Sequence, residues 1–380
     1  MNINMNMSKL EMSSLTKNLT QNPPSEHNID PTPTTNPTSA TNPTPATNPT
    51  STTNPTSTTN TTTTTGLPHE HSPDTKTEHV SLGQHMISDL PKIDPTTKIT
   101  KLVLSGGGMR GCLHVGAIRY LEEKHVLEHL EWILGTSIGS FVATMLVLSY
   151  SSRDLVKIVK RFDYQKYQSL DITNLTQHFG LDTFEKINKY ISSLFIKKKY
   201  DPGVTFGELF ILTRKHLVIN AVCLNTHENT FFDHFSTPEM PVMIALRASM
   251  SFPFIFGSVN YHGLTYVDGG LLDNFPLDYP HLTEINPESI LGIDLNNCID
   301  FSVKEIISLE QYCIHLFSCL YNAYVNVSVK IPPGVHVINM LTSKFSSLDL
   351  LLSESEKNYL IDVGYQKIFN YFESHPTPCP

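Results

Sequence analysis

Three short segments of this chain carry residue types whose spacing could do chemistry together. Ser137 sits in Gly135-Thr136-Ser137-Ile138-Gly139. Small residues around a serine allow a sharp strand-to-helix turn that lifts the hydroxyl clear of a sheet. Asp268 opens Asp268-Gly269-Gly270, directly after the apolar run Leu264 to Val267. An aspartate at the C-terminal end of a strand lies at the sheet edge where open α/β folds bind ligands, and the glycines after it let another backbone come close. The third segment is Ser105-Gly106-Gly107-Gly108-Met109-Arg110-Gly111, which follows a strand-like run and precedes a helix-like one. Consecutive glycines at a helix start leave backbone N–H groups uncovered, pointing at whatever anion sits there.

Each segment alone has a blander reading. The glycine run fits a dinucleotide loop or a plain tight turn. The serine fits a helix cap, and Asp-Gly is above all a turn signal. Together they form a set: a hydroxyl to attack a carbonyl, a carboxylate to take its proton, and donors for the oxyanion that develops. A dinucleotide site would also need an acidic residue about 20 residues on, at the end of a second strand. Glu122, Glu123 and Glu128 fall in or just after a helix-like stretch instead. A Ser…Asp…His triad is the rival arrangement. His281, His315, His336 and His375 follow Asp268, and His114 lies just after the glycine loop, but context singles out none of them.

The elements that would position these groups are legible from periodicity. Lys98 to Leu104 reads as a strand buried on both faces, Arg110 to Val126 as a helix, Glu131 to Leu134 as a strand and Ile138 to Tyr150 as a buried helix. Asp182 with Glu185, Thr205 with Glu208, and Ser353 with Glu356 have capping-box spacing. Further strands are expected at Leu217 to Leu224, Thr230 to Asp233, Leu264 to Val267, Ile290 to Leu295 and Val335 to Leu341. Strands alternating with helices imply a mostly parallel sheet covered on both faces.

The chain has 380 residues, of which 39% are hydrophobic, enough for a sizeable core, and a formal charge of −9. Neither the first 95 residues nor the rest is strongly basic, which disfavours a nucleic-acid binder. Residues 1–95 are rich in Thr, Asn and Pro, with Asn-Pro recurring every six residues at Asn36, Asn42, Asn48 and Asn54. Such a segment buries too little to offset its ordering entropy, so it reads as a disordered tail before one domain at 96–375. The longest apolar run, near Phe141 to Leu148, is too short to span a bilayer, and Met1 to Thr20 lacks the apolar core of a signal peptide. Those features predict a cytoplasmic or peripherally membrane-bound protein. Its six cysteines form no C-x-x-C pair and read as free thiols.

With these segments in register, the sequence resembles the patatin-like phospholipase family. The family's G-G-G-x-R-G loop, G-x-S-x-G elbow and D-G-[GA] aspartate stand here in that order as GGGMRG, GTSIG and DGG. Arg247 to Phe254 is similar to the small-residue segment that precedes the family's aspartate. Asp268 to Pro276 matches its D-G-G-x-x-x-N-x-P extension. The likeness covers roughly residues 98 to 300. It implies a three-layer α/β/α fold with a mostly parallel central sheet and a Ser–Asp dyad without histidine. Ser137 would be the nucleophile and Asp268 the general base. Backbone amides from Gly106, Gly107, Gly108 and Met109 would form the oxyanion hole. Arg110 and Gly111 would support that loop, with contact to a phosphate as the second reading of Arg110, and Gly135, Gly139, Gly269 and Gly270 would shape the two turns. An ordinary carboxylate is a weak base at neutral pH, so partial burial is expected to raise Asp268.

The implied activity is phospholipase A-type cleavage of fatty acyl esters at a membrane surface, through an acyl-enzyme, in lipid degradation. No metal or cofactor is required for that chemistry; an activating partner stays open. The alternatives on the same fold are an acyltransferase and a non-catalytic lipid-binding module. Phe252, Phe254, Ile255 and Phe256 read first as core and second as an acyl channel. The basic runs at Lys157, Lys160, Arg161 and Lys166 and at Lys197 to Lys199 read first as solvated helix faces and second as attraction to anionic membranes.

Overall fold

The computed structural model describes residues 97–283, 286–295, 306, 311–312, 315–316, 318–320, 322, 331–342, 344–346 and 349–373. The Thr/Asn/Pro-rich segment, His375 and three of the six cysteines (Cys298, Cys313, Cys379) lie outside them. Cys112, Cys223 and Cys319 are free thiols.

Strand β1 is Lys101–Leu104, fully buried as its apolar run requires. A 3₁₀ turn, Gly108–Gly111, leads into helix α1, Cys112–Glu123. β2 is Trp132–Thr136, followed at once by α2, Ile138–Val147. Both helices end earlier than periodicity suggests. The chain leaves α2 through Ser149 at φ 60°, a left-handed exit. α3 is Ser152–Arg161, capped by the Ser151 hydroxyl on the Asp154 N–H. A short α4, Tyr164–Tyr167, and α5, Ile172–His178, lead to β3, Gly180–Asp182. α6 is Glu185–Lys197 and α7 is Phe206–Thr213. Then come β4, His216–Cys223; β5, Glu228–Phe232; and α8, Val242–Ser249. β6, Phe254–Phe256, β7, Val259–Tyr261, and β8, Leu264–Asp268, follow. The described elements close with α9, Pro280–Thr283; β9, Ile290–Asp294; β10, His336–Asn339; and α10, Glu354–Glu373.

The main sheet runs β10-β9-β1-β2-β4-β8-β7, with β5 on the other edge of β4. β10, β9, β1, β2 and β4 are parallel; β5, β8 and β7 each pair antiparallel. The sheet is therefore mostly parallel, with apolar cover on both faces. The pleat sends Leu102, Leu104, Ile133 and Ile219 into the larger apolar cluster, shared with α1, α2, α6, α8 and α10. Val103, Leu134 and Val218 point to the opposite face, where Phe275, Leu277, Tyr279 and Leu282 cover them. At about 1.5–3 kcal/mol per fully buried large aliphatic side chain, this two-sided burial dominates the stability of the sheet.

Two of the three expected capping boxes form. Thr205 and Glu208 exchange both bonds, as do Ser353 and Glu356. Asp182 does not cap by that pattern. It is wholly buried, accepts from the N–H groups of Phe184 and Ser169 and from the Tyr164 hydroxyl, and leaves Phe184, at φ 64°, to start α6. Burying the Phe184 ring turns the chain left-handed there and makes Asp182 a tie between segments.

Helix α10 fixes α1, the helix that opens just after the glycine loop. A Cβ on Gly116 would lie 1.9 Å from the Ile361 carbonyl oxygen, and one on Gly364 2.2 Å from that of Leu113. The two backbones touch directly, which only paired glycines permit.

Candidate active site

The register of β4 decides where the serine and the aspartate meet. β4 is longer than β2, and Thr136, the last residue of β2, pairs with Asn220. On the same edge of β4, the next residue, Ala221, pairs with Asp268 of β8. β2 and β8 thus run toward each other along one strand and stop one rung apart. Ser137 is the first residue past the end of β2, so its hydroxyl and the Asp268 carboxylate share one point of the sheet.

Ser137 occupies a strained turn, φ 52° and ψ −123°, the geometry of a nucleophile elbow. Such a backbone costs of order 1–3 kcal/mol and persists only where neighbours hold it. Its N–H donates to the Ser249 Oγ at 2.9 Å, and that hydroxyl donates onward to the Asn220 carbonyl at 2.6 Å. Its carbonyl accepts from the Ser140 N–H at 2.9 Å and the Ser140 hydroxyl at 2.6 Å. The elbow glycines are sterically required. A Cβ on Gly139 would sit 2.2 Å from the Leu104 carbonyl oxygen, and one on Gly135 would sit 2.4 Å from the backbone of Gly139.

Asp268 is 3% exposed. Its N–H donates to the Ser251 carbonyl at 3.0 Å, and its Oδ1 accepts from the Gly270 N–H at 2.8 Å. Its carboxylate faces the Ser137 side chain closely enough for the two to interact. Burial pushes its carboxyl up to about 7, against the pull of Ser137 and of the Gly270 hydrogen bond in the other direction. A carboxyl so poised can exchange a proton near neutral pH.

The glycine loop lies against the same point. A Cβ on Gly106 would meet Asn274 Oδ1 at 2.4 Å and Ser137 Cβ at 3.0 Å. The Gly106 N–H is already committed, donating to the Asn274 carbonyl at 3.2 Å, while Asn274 Nδ2 donates back to the Gly106 carbonyl at 3.3 Å. Gly107 and Gly108 line the cavity beside Ser137, and their N–H groups make no hydrogen bond among the described residues. Of the four amides expected around an oxyanion, that of Gly106 instead anchors the loop to the segment after Asp268. Met109 and Gly111 also line the cavity. Arg110 is 2% exposed and is not among the residues that line the cavity.

A cavity of about 140 Å³ runs from Ser137 and Asp268 between α2, α3 and α6. Its walls are almost wholly apolar and include Phe141, Leu155, Ile158, Ile187, Phe252 and Phe256. Phe252 and Phe256 thus face the cavity, whereas Ile255 is buried and Phe254 is 36% exposed. No histidine lines the cavity among the described residues. His114 is wholly buried, its Nε2 donating to the Ser105 carbonyl at 2.8 Å, and burial lowers it to about 4. His281 belongs to an aromatic cluster with Trp132 and Phe235, and His336 is a buried strand residue. His315 sits in a helical stretch. Among the described residues no three His, Cys, Asp or Glu side chains gather as a metal site, and no helix is long and apolar enough to cross a membrane.

The sequence flagged the segment Arg247 to Phe254 only as a stretch of small residues. In the structure it holds both halves of the site. Ser249 fixes the elbow, Ser251 fixes the Asp268 backbone, and the half-buried Arg247 ties Ser251 down. Arg247 donates to the Ser251 hydroxyl at 2.5 Å, to the Gly257 carbonyl at 2.7 Å and to the Thr183 carbonyl at 3.1 Å.

The family model of patatin-like phospholipases matches residues 102–281, which hold the glycine loop, the elbow and the aspartate. An uncharacterized protein of Acanthamoeba polyphaga mimivirus is 27% identical over 295 residues, covering 74% of this chain and 97% of that one. A probable lipid hydrolase of Invertebrate iridescent virus 6 is 31% identical over 185 residues, 47% of this chain and 61% of its own length. A lysophospholipase of Candida albicans is 27% identical over 203 residues, 52% of this chain but 13% of that much longer protein. Residues 102–281, which hold the glycine loop, Ser137 and Asp268, thus match the patatin-like phospholipase domain.

Proposed function

We propose that the chain is a phospholipase A-type acyl hydrolase working through a Ser137–Asp268 dyad and a covalent acyl-enzyme. The observation that carries this reading is the meeting of β2 and β8 on β4, which brings a strained serine against a buried carboxylate raised to about 7. Asp268 accepts the Ser137 proton as Oγ attacks the ester carbonyl. The N–H groups of Gly107 and Gly108 receive the oxyanion, and the leaving alcohol takes the proton from Asp268. Water then enters, gives its proton to Asp268, and attacks the acyl-Ser137 carbonyl. The fatty acid leaves, and Ser137 recovers its proton. The apolar cavity between α2, α3 and α6 holds the acyl chain and keeps bulk water from the carboxylate.

The test is fatty-acid release from mixed phospholipid vesicles by the full chain, with wild type, Ser137→Ala and Asp268→Asn run in parallel. Both variants should lose at least about 10³-fold in rate. Release that persists in Ser137→Ala would overturn the assignment of the nucleophile.

A further inference from the structure

A second pocket, of about 270 Å³, opens between α3 and α6. Lys157 and Arg161 reach it from α3, one turn apart, and Lys197 reaches it from the last turn of α6. Like charges at this spacing on a helix repel one another. Among the described residues no carboxylate lies within ion-pair distance of any of the three; Asp154 shares the wall but sits against Lys198 at 3.6 Å. The remaining wall includes Tyr167 and Tyr190, rings 5.0 Å apart. The Tyr190 phenol is held neutral, pushed up to about 12 chiefly by burial, so it keeps a proton to donate.

Ile158 and Tyr190 belong to both linings, so one layer of side chains separates this basic pocket from the apolar cavity beside Ser137. The surrounding segment is charged in the same sense. Residues 151–200 hold ten Lys or Arg against five Asp or Glu, a balance of +5 in a chain of −9, so the other residues carry −14. A cationic pocket against an apolar channel, on a basic stretch of an acidic chain, matches a ligand with a phosphate beside acyl chains.

We infer that the pocket formed by Lys157, Arg161, Lys197 and Tyr190 binds the phosphate group of an anionic phospholipid and so draws such lipids to the acyl channel. The choice of lipid rests on the hydrolase reading; the binding itself does not. Lys and Arg supply the charge, Arg161 offers a two-pronged donor set for phosphate oxygens, and Tyr190 adds a neutral donor.

The experiment has a binding arm and a kinetic arm. In the first, the full chain carrying Ser137→Ala is sedimented with vesicles of phosphatidylcholine alone or with one fifth phosphatidylglycerol, with and without Lys157→Gln/Arg161→Gln. Each basic residue near an anionic lipid surface is worth about fivefold in affinity, so the double change should weaken binding to the anionic vesicles by about 25-fold. It should leave binding to phosphatidylcholine nearly unchanged. Soluble glycerol phosphate that displaces the anionic vesicles marks the free phosphate group as sufficient; displacement that needs the intact lipid marks the headgroup together with its chains. In the kinetic arm, active enzyme with the same double change should show a raised KM for phosphatidylglycerol in neutral detergent micelles. Its kcat on that substrate, and its kcat/KM on a soluble neutral p-nitrophenyl ester, should hold. Equal vesicle affinity with and without the double change overturns the inference, as does an equal loss on the neutral ester. A wild type inert toward every ester would refute the hydrolase reading while the sedimentation arm still tests the pocket.

Discussion

In the proposed mechanism the ionisation of Asp268 sets the pH at which the site works. Burial raises its carboxyl to about 7, and only the ionised form can take the Ser137 proton. The free-enzyme term kcat/KM on a soluble short-chain ester should therefore fall on the acid side with a midpoint near 7. One unit below that midpoint about a tenth of the enzyme carries the charge, and two units below about a hundredth, so activity should drop about tenfold per pH unit from 6 to 5. An aspartate at its ordinary value, near 4, would leave the rate flat across that range. The same shift bears on stability. The folded chain binds this proton more tightly than the unfolded chain does. Its contribution to stability is thus full below about pH 4 and lost as pH rises through 7. Three pK units correspond to a penalty of up to about 4 kcal/mol above pH 7, which a neutral amide would not carry. Asp268→Asn should abolish hydrolysis yet unfold at higher temperature than wild type at pH 8, with the gap closing toward pH 4. A profile flat from pH 8 to 5, or an amide variant less stable than wild type at pH 8, would show that the Asp268 carboxyl is not raised.

The remaining predictions concern the parts that hold the site. Ser249→Ala leaves the Ser137 N–H without its acceptor; it should cost about 1–3 kcal/mol in chemical denaturation and lower kcat more than it changes KM. Gly106→Ala drives a Cβ onto Asn274 and Ser137, shifting the donor loop, and should lower kcat by about 10²–10³ while the far-ultraviolet spectrum stays native. Gly364→Ala pushes α10 off α1 and should destabilise by about 1–3 kcal/mol, read from the urea midpoint, with unchanged activity per folded molecule at low temperature.

The sequence carried the strands and turns that end at the site, because each is a short apolar run with a glycine within two residues of its end: Leu104 before the glycine loop, Leu134 before the elbow, Val267 before Asp268-Gly269. It could not carry the register. That β8 takes over the edge of β4 where β2 stops depends on strand lengths set by packing, and Ala221 looks like any other core residue. β3, β6 and β7 went unread because each is three residues long, and β6 shows an exposed Phe254 where a core strand would hide it. Asp182 had capping spacing, but the burial of Phe184 turned it into a tie between segments. Ser249 lies 112 positions from the amide it holds, a distance no local pattern reveals. The commitment of the Gly106 amide to Asn274 is likewise a long-range fact, since a triple glycine offers three equivalent donors on paper.

The most direct test of the dyad traps the intermediate. Wild-type chain mixed rapidly with a slowly deacylated p-nitrophenyl ester should release a burst of nitrophenol equal to the enzyme present. Intact-mass and peptide analysis should then place one acyl group on Ser137, with no burst and no adduct in Ser137→Ala and a burst slowed by orders of magnitude in Asp268→Asn. An acyl group on any other residue, or an undiminished burst in Ser137→Ala, would contradict the account.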